Sequence, residues 1–115
     1  MAETTTINIL DGDTRDGVLR RFAQSGDRSE IDRVARDALG SDDARVVVVA
    51  GAVMATALLM SGNRVEAGRG ASLALDYCED AGIEPPAIVL NVLAALVADV
   101  PSDMVRALYA SAPVG

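Results

Sequence analysis

Apolar residues recur along this chain at the three-and-four spacing that gathers them on one side of an α-helix. The breaks between the runs carry residues that cap or stop helices. Val18, Leu19 and Phe22 follow the turn Asp11-Gly12-Asp13-Thr14, which offers two N-cap side chains, and Gly26 stops that first helix. Asp27, with Glu30 three residues on, reads as a capping box. The second helix then places Ile31, Val34, Ala35, Ala38 and Leu39 on one face, and Gly40 ends it. Ser41-Asp42-Asp43 caps the third helix, with negative charge in the first turn, where the helix dipole favours it.

Val46 to Met60 is apolar apart from Gly51 and Thr56, and its large side chains fall on every side of a helical wheel. That is the pattern of a core helix surrounded by others. The competing reading makes Val46 to Val49 a buried parallel strand ending at Gly51, which gives an α/β fold, because β-branched runs favour strands. Gly62-Asn63 closes this element, and Asn63 with Glu66 forms a second capping box. The fourth helix buries Ala67, Ala71, Ala74, Leu75 and Cys78, exposes Arg69, Asp76 and Asp80, and ends at Gly82 as a C′ residue. Pro85 sits in the first turn of a fifth helix whose core stripe is Val89, Val92, Leu93, Leu96 and Val97. Pro101 starts a short sixth helix with Met104, Val105 and Leu108. Met1 to Thr6 is small and polar, with no charged-then-apolar leader, and Ile7 to Leu10 alternates only weakly.

The expected fold is therefore all-α, a compact bundle of five or six helices around the central apolar one. Residues 1–12 are expected as a flexible arm or short extended lead-in, 13–110 as a single helical domain, and 111–115 as a frayed tail.

Composition sharpens this picture. Half of the 115 residues are apolar, yet only Phe22, Tyr77 and Tyr109 are aromatic, so the core has to be built from Ala, Val, Leu, Ile and Met. Such side chains let helix backbones approach closely. The net charge is −7 and all ten basic residues are Arg, a usage associated with high-GC genomes. An acidic chain repels nucleic-acid phosphates and anionic membranes, so neither is an expected partner. The 15-residue apolar run is short of the ~20 residues that a membrane helix needs. Cys78 is the only cysteine, which rules out an intrachain disulfide and makes a cytoplasmic location the expectation.

The chemical inventory is thin. The chain has no His and no Lys, which removes His-based triads, the commonest zinc ligand, Schiff-base chemistry and the phosphate-loop lysine. One Cys cannot hold zinc or an iron–sulfur cluster. Asp11, Asp13 and Asp16 invite a calcium reading, but the fifth, sixth and twelfth positions of that pattern are Arg15, Asp16 and Phe22, so helix capping is preferred. Asp42-Asp43 and Glu79-Asp80 lie at helix ends, where water keeps carboxylates ordinary. Arg20, Arg21, Arg28, Arg33 and Arg36 interleave with Asp27, Glu30, Asp32 and Asp37, the pattern of a salt-bridge-laced surface. Cys78, beside Glu79 and Asp80, reads as a small buried hydrophobe. No catalytic residue, metal ligand or cofactor is expected.

Two resemblances concern the fold. Leu58, Gly62, Ala67, Ala71, Ala74 and Leu75 stand at the spacings of one tetratricopeptide-type helical hairpin, a single unit where stacked repeats need about three. From about Asp13 to Ala110, the order "DTRDGVLRRFAQSGDRSEIDRVARDAL", "LLMSGNRVEAGRGASLALDYCEDAG" and "VLNVLAALVADVPSDMVRALY" is similar to the C-terminal helical part of an actinobacterial family. That family is known only as a domain of unknown function, number four thousand one hundred and ninety-two. Its pattern has tryptophan where this chain has Leu58 and Leu59, and its members usually carry a further region ahead of these helices. The resemblance implies a helical fold and no agreed activity.

The expected function is a non-enzymatic protein–protein interaction module, self-associating or docking on a larger protein. A small-ligand-binding or enzymatic domain with a pocket between helices is the alternative, and convergent polar groups in a cleft discriminate the two. Thr56 and Asn91 are the only polar residues near the core stripes. A third reading is a phage protein that mimics the helical part of a longer host protein. The residues singled out as a partner interface are Leu73 and Tyr77, four apart and opposite the buried face of the fourth helix, beside Gly70. A symmetric homodimer is the simplest form. The competing expectation is that Ile7, Ile9 and Leu10 fold back and cover this patch.

Overall fold

A computed structural model describes residues 8–111 of the chain. Six helices follow one another: α1 (Gly12–Ser25), α2 (Ser29–Leu39), α3 (Ala44–Met60), α4 (Arg64–Ala81), α5 (Ala87–Val97) and α6 (Ser102–Ala110). No strand occurs among the described residues, so Val46–Val49 is helical and the bundle is all-α. None of the helices is long and apolar enough to cross a membrane.

α3 is the hub, packing against each of the other five helices. Val48, Val49, Ala50, Ala52, Val53, Ala55, Ala57 and Leu59 are all buried, which accounts for an element that looks apolar all round in sequence. Among the described residues Thr56 is the one buried polar residue, and its hydroxyl donates to the Ala52 carbonyl at 2.8 Å. A β-branched run is tolerated in this helix because neighbours bury most of its surface, Val48 and Val49 completely, and that tertiary gain outweighs a local propensity of a few tenths of a kcal/mol per residue.

The ends are set locally. Asp11 caps α1, its carboxylate accepting from the Thr14 amide at 3.1 Å and the Thr14 hydroxyl at 2.6 Å. Asp43 caps α3 by accepting from the Arg45 amide at 3.0 Å. Gly26 and Gly82 end α1 and α4 at φ 74° and 70°, a left-handed conformation that a Cβ would disfavour. Neither expected capping box forms. Asp27 accepts from the Ser29 amide and hydroxyl at 2.9 and 2.7 Å, while Glu30 turns to Arg21, a charged partner that competes better for its carboxylate than a backbone amide does. Asn63 makes no side-chain cap, and Glu66 accepts from Arg69 instead. α5 starts at Ala87, with Pro86 rather than Pro85 at its edge.

The buried faces of α1, α2 and α4 follow the spacing argument closely: Val18, Leu19 and Phe22, then Ile31, Val34, Ala35 and Ala38, then Ala67, Ala71, Ala74 and Cys78. The last two helices depart from it. In α5, Ile88 is buried while Val97 is 88% exposed. In α6, only Val105 is buried, and Met104 and Leu108 are exposed. Both helices lie at the edge of the bundle and cover α3 from one side only, so part of each apolar stripe overhangs. α6 is held by polar ties as well, since Arg106 donates to the Ala23 carbonyl at 2.8 Å and Gln24 to that of Ala110 at 3.1 Å.

Candidate protein-interaction surface

α3 and α4 are joined by the short turn Ser61–Asn63 and run antiparallel in close register. Gly51 faces Ala74, and Gly70 faces Ala55: a Cβ added at those glycines would stand 3.9 and 3.6 Å from the opposing methyl. Small residues on both partners bring the two backbones together and leave a shallow trough along their outer side. The trough encloses about 350 Å³. Gly51, Ala55, Gly70 and Ala74 form its floor, Met54 and Leu58 its α3 wall, and Leu73 and Tyr77 its α4 wall. Val47 and Leu39 close one end, and Glu66 and Arg69 sit at the other.

The sequence-derived residues Leu73, Tyr77 and Gly70 are therefore brought together, with Leu73 64% and Tyr77 43% exposed. Neither Ile9 nor Leu10 covers them. Ile9 is buried in the core, where its carbonyl accepts from Arg15 at 3.2 Å, and Asn8–Asp11 forms a turn closed by the Asp11 amide on the Asn8 carbonyl. Ile7 lies outside the described residues. The two tyrosines differ in kind: burial holds Tyr109 protonated above its ordinary range, with Asp16 adding to the effect. Tyr77 keeps a free rim position.

Three parts of the surface escape sequence reasoning. Leu39, placed on the α2 core face by its spacing, is 46% exposed and reaches the trough instead. Leu58 is only partly buried, for the same reason. The α3 stripe Val47, Gly51, Met54 and Leu58 repeats at four, three and four residues, yet that spacing is invisible in a run where almost every position is apolar. α4, being half polar, shows its outer stripe plainly.

Chemically the trough is nearly all carbon. Its charged groups are Glu66 and Arg69, which pair with each other at 3.0 Å on the rim. Cys78 lies under α4 on the opposite side, and burial pushes its thiol up, so it stays protonated. Among the described residues no three His, Cys, Asp or Glu side chains converge as a ligand set, and Asp11 is engaged in capping α1. No buried polar side-chain atom lacks a partner there.

The chain matches no family model, no curated protein and no solved structure.

Proposed function

We propose that this chain is a non-enzymatic protein–protein interaction module that docks an apolar helical segment of a protein partner in the α3–α4 trough. The observation that carries the reading is the conjunction of an open apolar trough with a projecting Leu–Tyr pair on its wall. Folding does not require either feature: the inner face of α4 is already filled by Ala67, Ala71, Ala74 and Cys78. The trough runs from Val47 to Leu58 on one side and from Glu66 to Tyr77 on the other, about 17 Å at 1.5 Å per residue. That length matches three turns of a helix, the usual reach of helix-in-groove docking. Tyr and Leu beside glycines also give an anchor and a hole on one surface, as interfaces favour.

The volume falls in the range of small-ligand pockets, which speaks for the alternative of a bound apolar molecule. Against it stands the lack of convergent polar groups to orient such a ligand or to perform acid–base work. The test is the double substitution Leu73→Glu with Tyr77→Glu, followed by circular dichroism melting and sedimentation velocity. The variant is expected to stay folded and to lose protein association that the wild type shows. Unfolding of the variant would make the pair a structural feature and refute the reading.

A further inference from the structure

The outer face of the α3–α4 hairpin is its own complement. Its α4 stripe is Glu66, Gly70, Leu73 and Tyr77, spaced four, three and four, as in a coiled-coil seam. Reverse this stripe about its midpoint, between residues 71 and 72, and Gly70 falls opposite Leu73 while Glu66 falls opposite Tyr77. The flanking residues Arg69 and Asp76 are centred one residue further along, between 72 and 73, so each comes within two residues, about 3 Å along the axis, of the other's reversed position, positive near negative. The α3 stripe shares the symmetry: about its own midpoint Gly51 falls opposite Met54, and Val47 opposite Leu58. The two midpoints lie level to within about one residue, or 1.5 Å, because residues 51 and 55 of α3 stand beside 74 and 70 of α4.

We infer that the partner is a second copy of this chain, docked through the same α3–α4 face about a two-fold axis perpendicular to the helices. α4 then lies antiparallel on the partner's α4, each Arg69 faces the partner's Asp76, and the four helices complete a bundle. This rests on the docking reading above and specifies its occupant.

A two-fold axis parallel to the helices is the competing symmetric arrangement, and charge decides between them. It would lay α4 over the partner's α3, whose stretch Val46–Met60 carries no charge, and leave Arg69 and Asp76 without cross-chain partners. The perpendicular axis puts both on the same outer edge of paired α4 helices. Both residues are exposed; Arg69 is bonded only within its own helix, to Glu66, and Asp76 makes no ion pair among the described residues. An isologous interface demands this kind of self-complementarity, since each contact occurs twice. Large side chains also meet glycines at both seams, so knobs find holes without rearrangement. The face offers about 500 Å² per copy if the whole helix length takes part, at the low end for specific association, so a concentration-dependent dimer in the micromolar range or weaker is expected.

Charge reversal tests the register. Arg69→Glu and Asp76→Arg, each alone, create two like-charge contacts per dimer and are expected to weaken self-association about tenfold or more in low salt. Both reversals in one chain restore opposite charges and should return the dissociation constant to near the wild-type value. Mixing the two single variants should give a heterodimer tighter than either homodimer. A residue with only a structural role yields neither rescue nor heterodimer preference, and melting by circular dichroism identifies any variant that fails to fold. The neutral substitutions Arg69→Gln and Asp76→Asn give the same ordering at smaller size. Singles that leave the dimer unchanged, or a double variant that stays as weak as the singles, overturn the register. If Leu73→Glu with Tyr77→Glu still dissociates that dimer, the docking reading survives the loss. A wild-type chain that is monomeric up to millimolar concentration overturns the second copy as occupant.

Discussion

α2 and α4 both lie against α3, and their inner faces are nearly interchangeable: Ile31, Val34, Ala35 and Ala38 on one, Ala67, Ala71, Ala74 and Cys78 on the other. Their outer faces differ. α2 shows water Arg28, Asp32, Arg33, Arg36 and Asp37, with Arg28 and Asp32 paired at 3.3 Å and neighbouring Glu30 tied to Arg21 of α1 at 2.7 Å. α4 shows Gly70, Leu73 and Tyr77, on the flank of a trough walled on its other side by Met54 and Leu58. Packing on α3 thus asks nothing of the outward residues, since one helix meets the same packing demand with charges. Leu73 and Tyr77 are therefore a choice that the fold does not account for. Surface apolar residues scattered singly are ordinary, but this set is contiguous and concave.

The largest expected effect comes from breaking what the two helices share. Leu59→Ala empties a fully buried site in α3, and is expected to cost about 2–5 kcal/mol in urea unfolding. Leu58→Ala, one position away on the trough wall, should cost clearly less, because part of that side chain is already in water. Equal losses would mean that the trough is closed inside the monomer.

Gly70→Ala separates the stability of the monomer from the proposed association. The new methyl would stand at an ordinary 3.6 Å from the Ala55 methyl, and alanine favours the helix, so monomer stability is expected to rise by about 0.5–1 kcal/mol. The same methyl fills the hole that Leu73 of a second copy needs, so association should weaken as thermal stability rises. A gain in both would argue against glycine as the contact point.

The smallest effect belongs to the charged half. The Arg21 guanidinium holds Glu30 below its ordinary carboxylate range, and hydroxyl and amide donors do the same for Asp11, the cap of α1, and for Asp27, which accepts from Ser29 ahead of α2. A folded value below the unfolded one means that this stabilisation is complete at neutral pH and is lost as pH falls through the carboxylate range. Glu30→Gln should cost less than about 1 kcal/mol at pH 7, since Arg21 is half exposed, and nothing once the carboxylate is protonated. Melting midpoints measured against pH, wild type beside variant, should converge in acid.

The reach of sequence reasoning follows the same divide. Helices with one polar face declare themselves, so the inner stripes of α1, α2 and α4 and the outward Leu73–Tyr77 pair were legible from spacing. α3 was legible only as a core element: with almost every position apolar, nothing in its sequence marks Val47, Gly51, Met54 and Leu58 as outward. Leu39 belongs to its helix's apolar stripe, yet is the last residue of the helix and reaches the trough beside Val47. Val97 and Leu108 sit on stripes that are real but longer than the surface available to cover them. Glu30 and Glu66 have capping-box spacing, and each was captured by an arginine. Arg21 lies nine residues away on another helix, beyond what local spacing can foresee.

The central claim is that the α3–α4 face meets a second copy while the α2 face meets water. Amide NMR spectra recorded from micromolar to millimolar protein compare the two faces within one molecule. Concentration-dependent shifts are expected at Gly51, Met54, Gly70, Leu73 and Tyr77, with Arg28, Arg33 and Arg36 unmoved. Shifts gathered on the α2 arginines, or a spectrum that does not change with concentration, would contradict it.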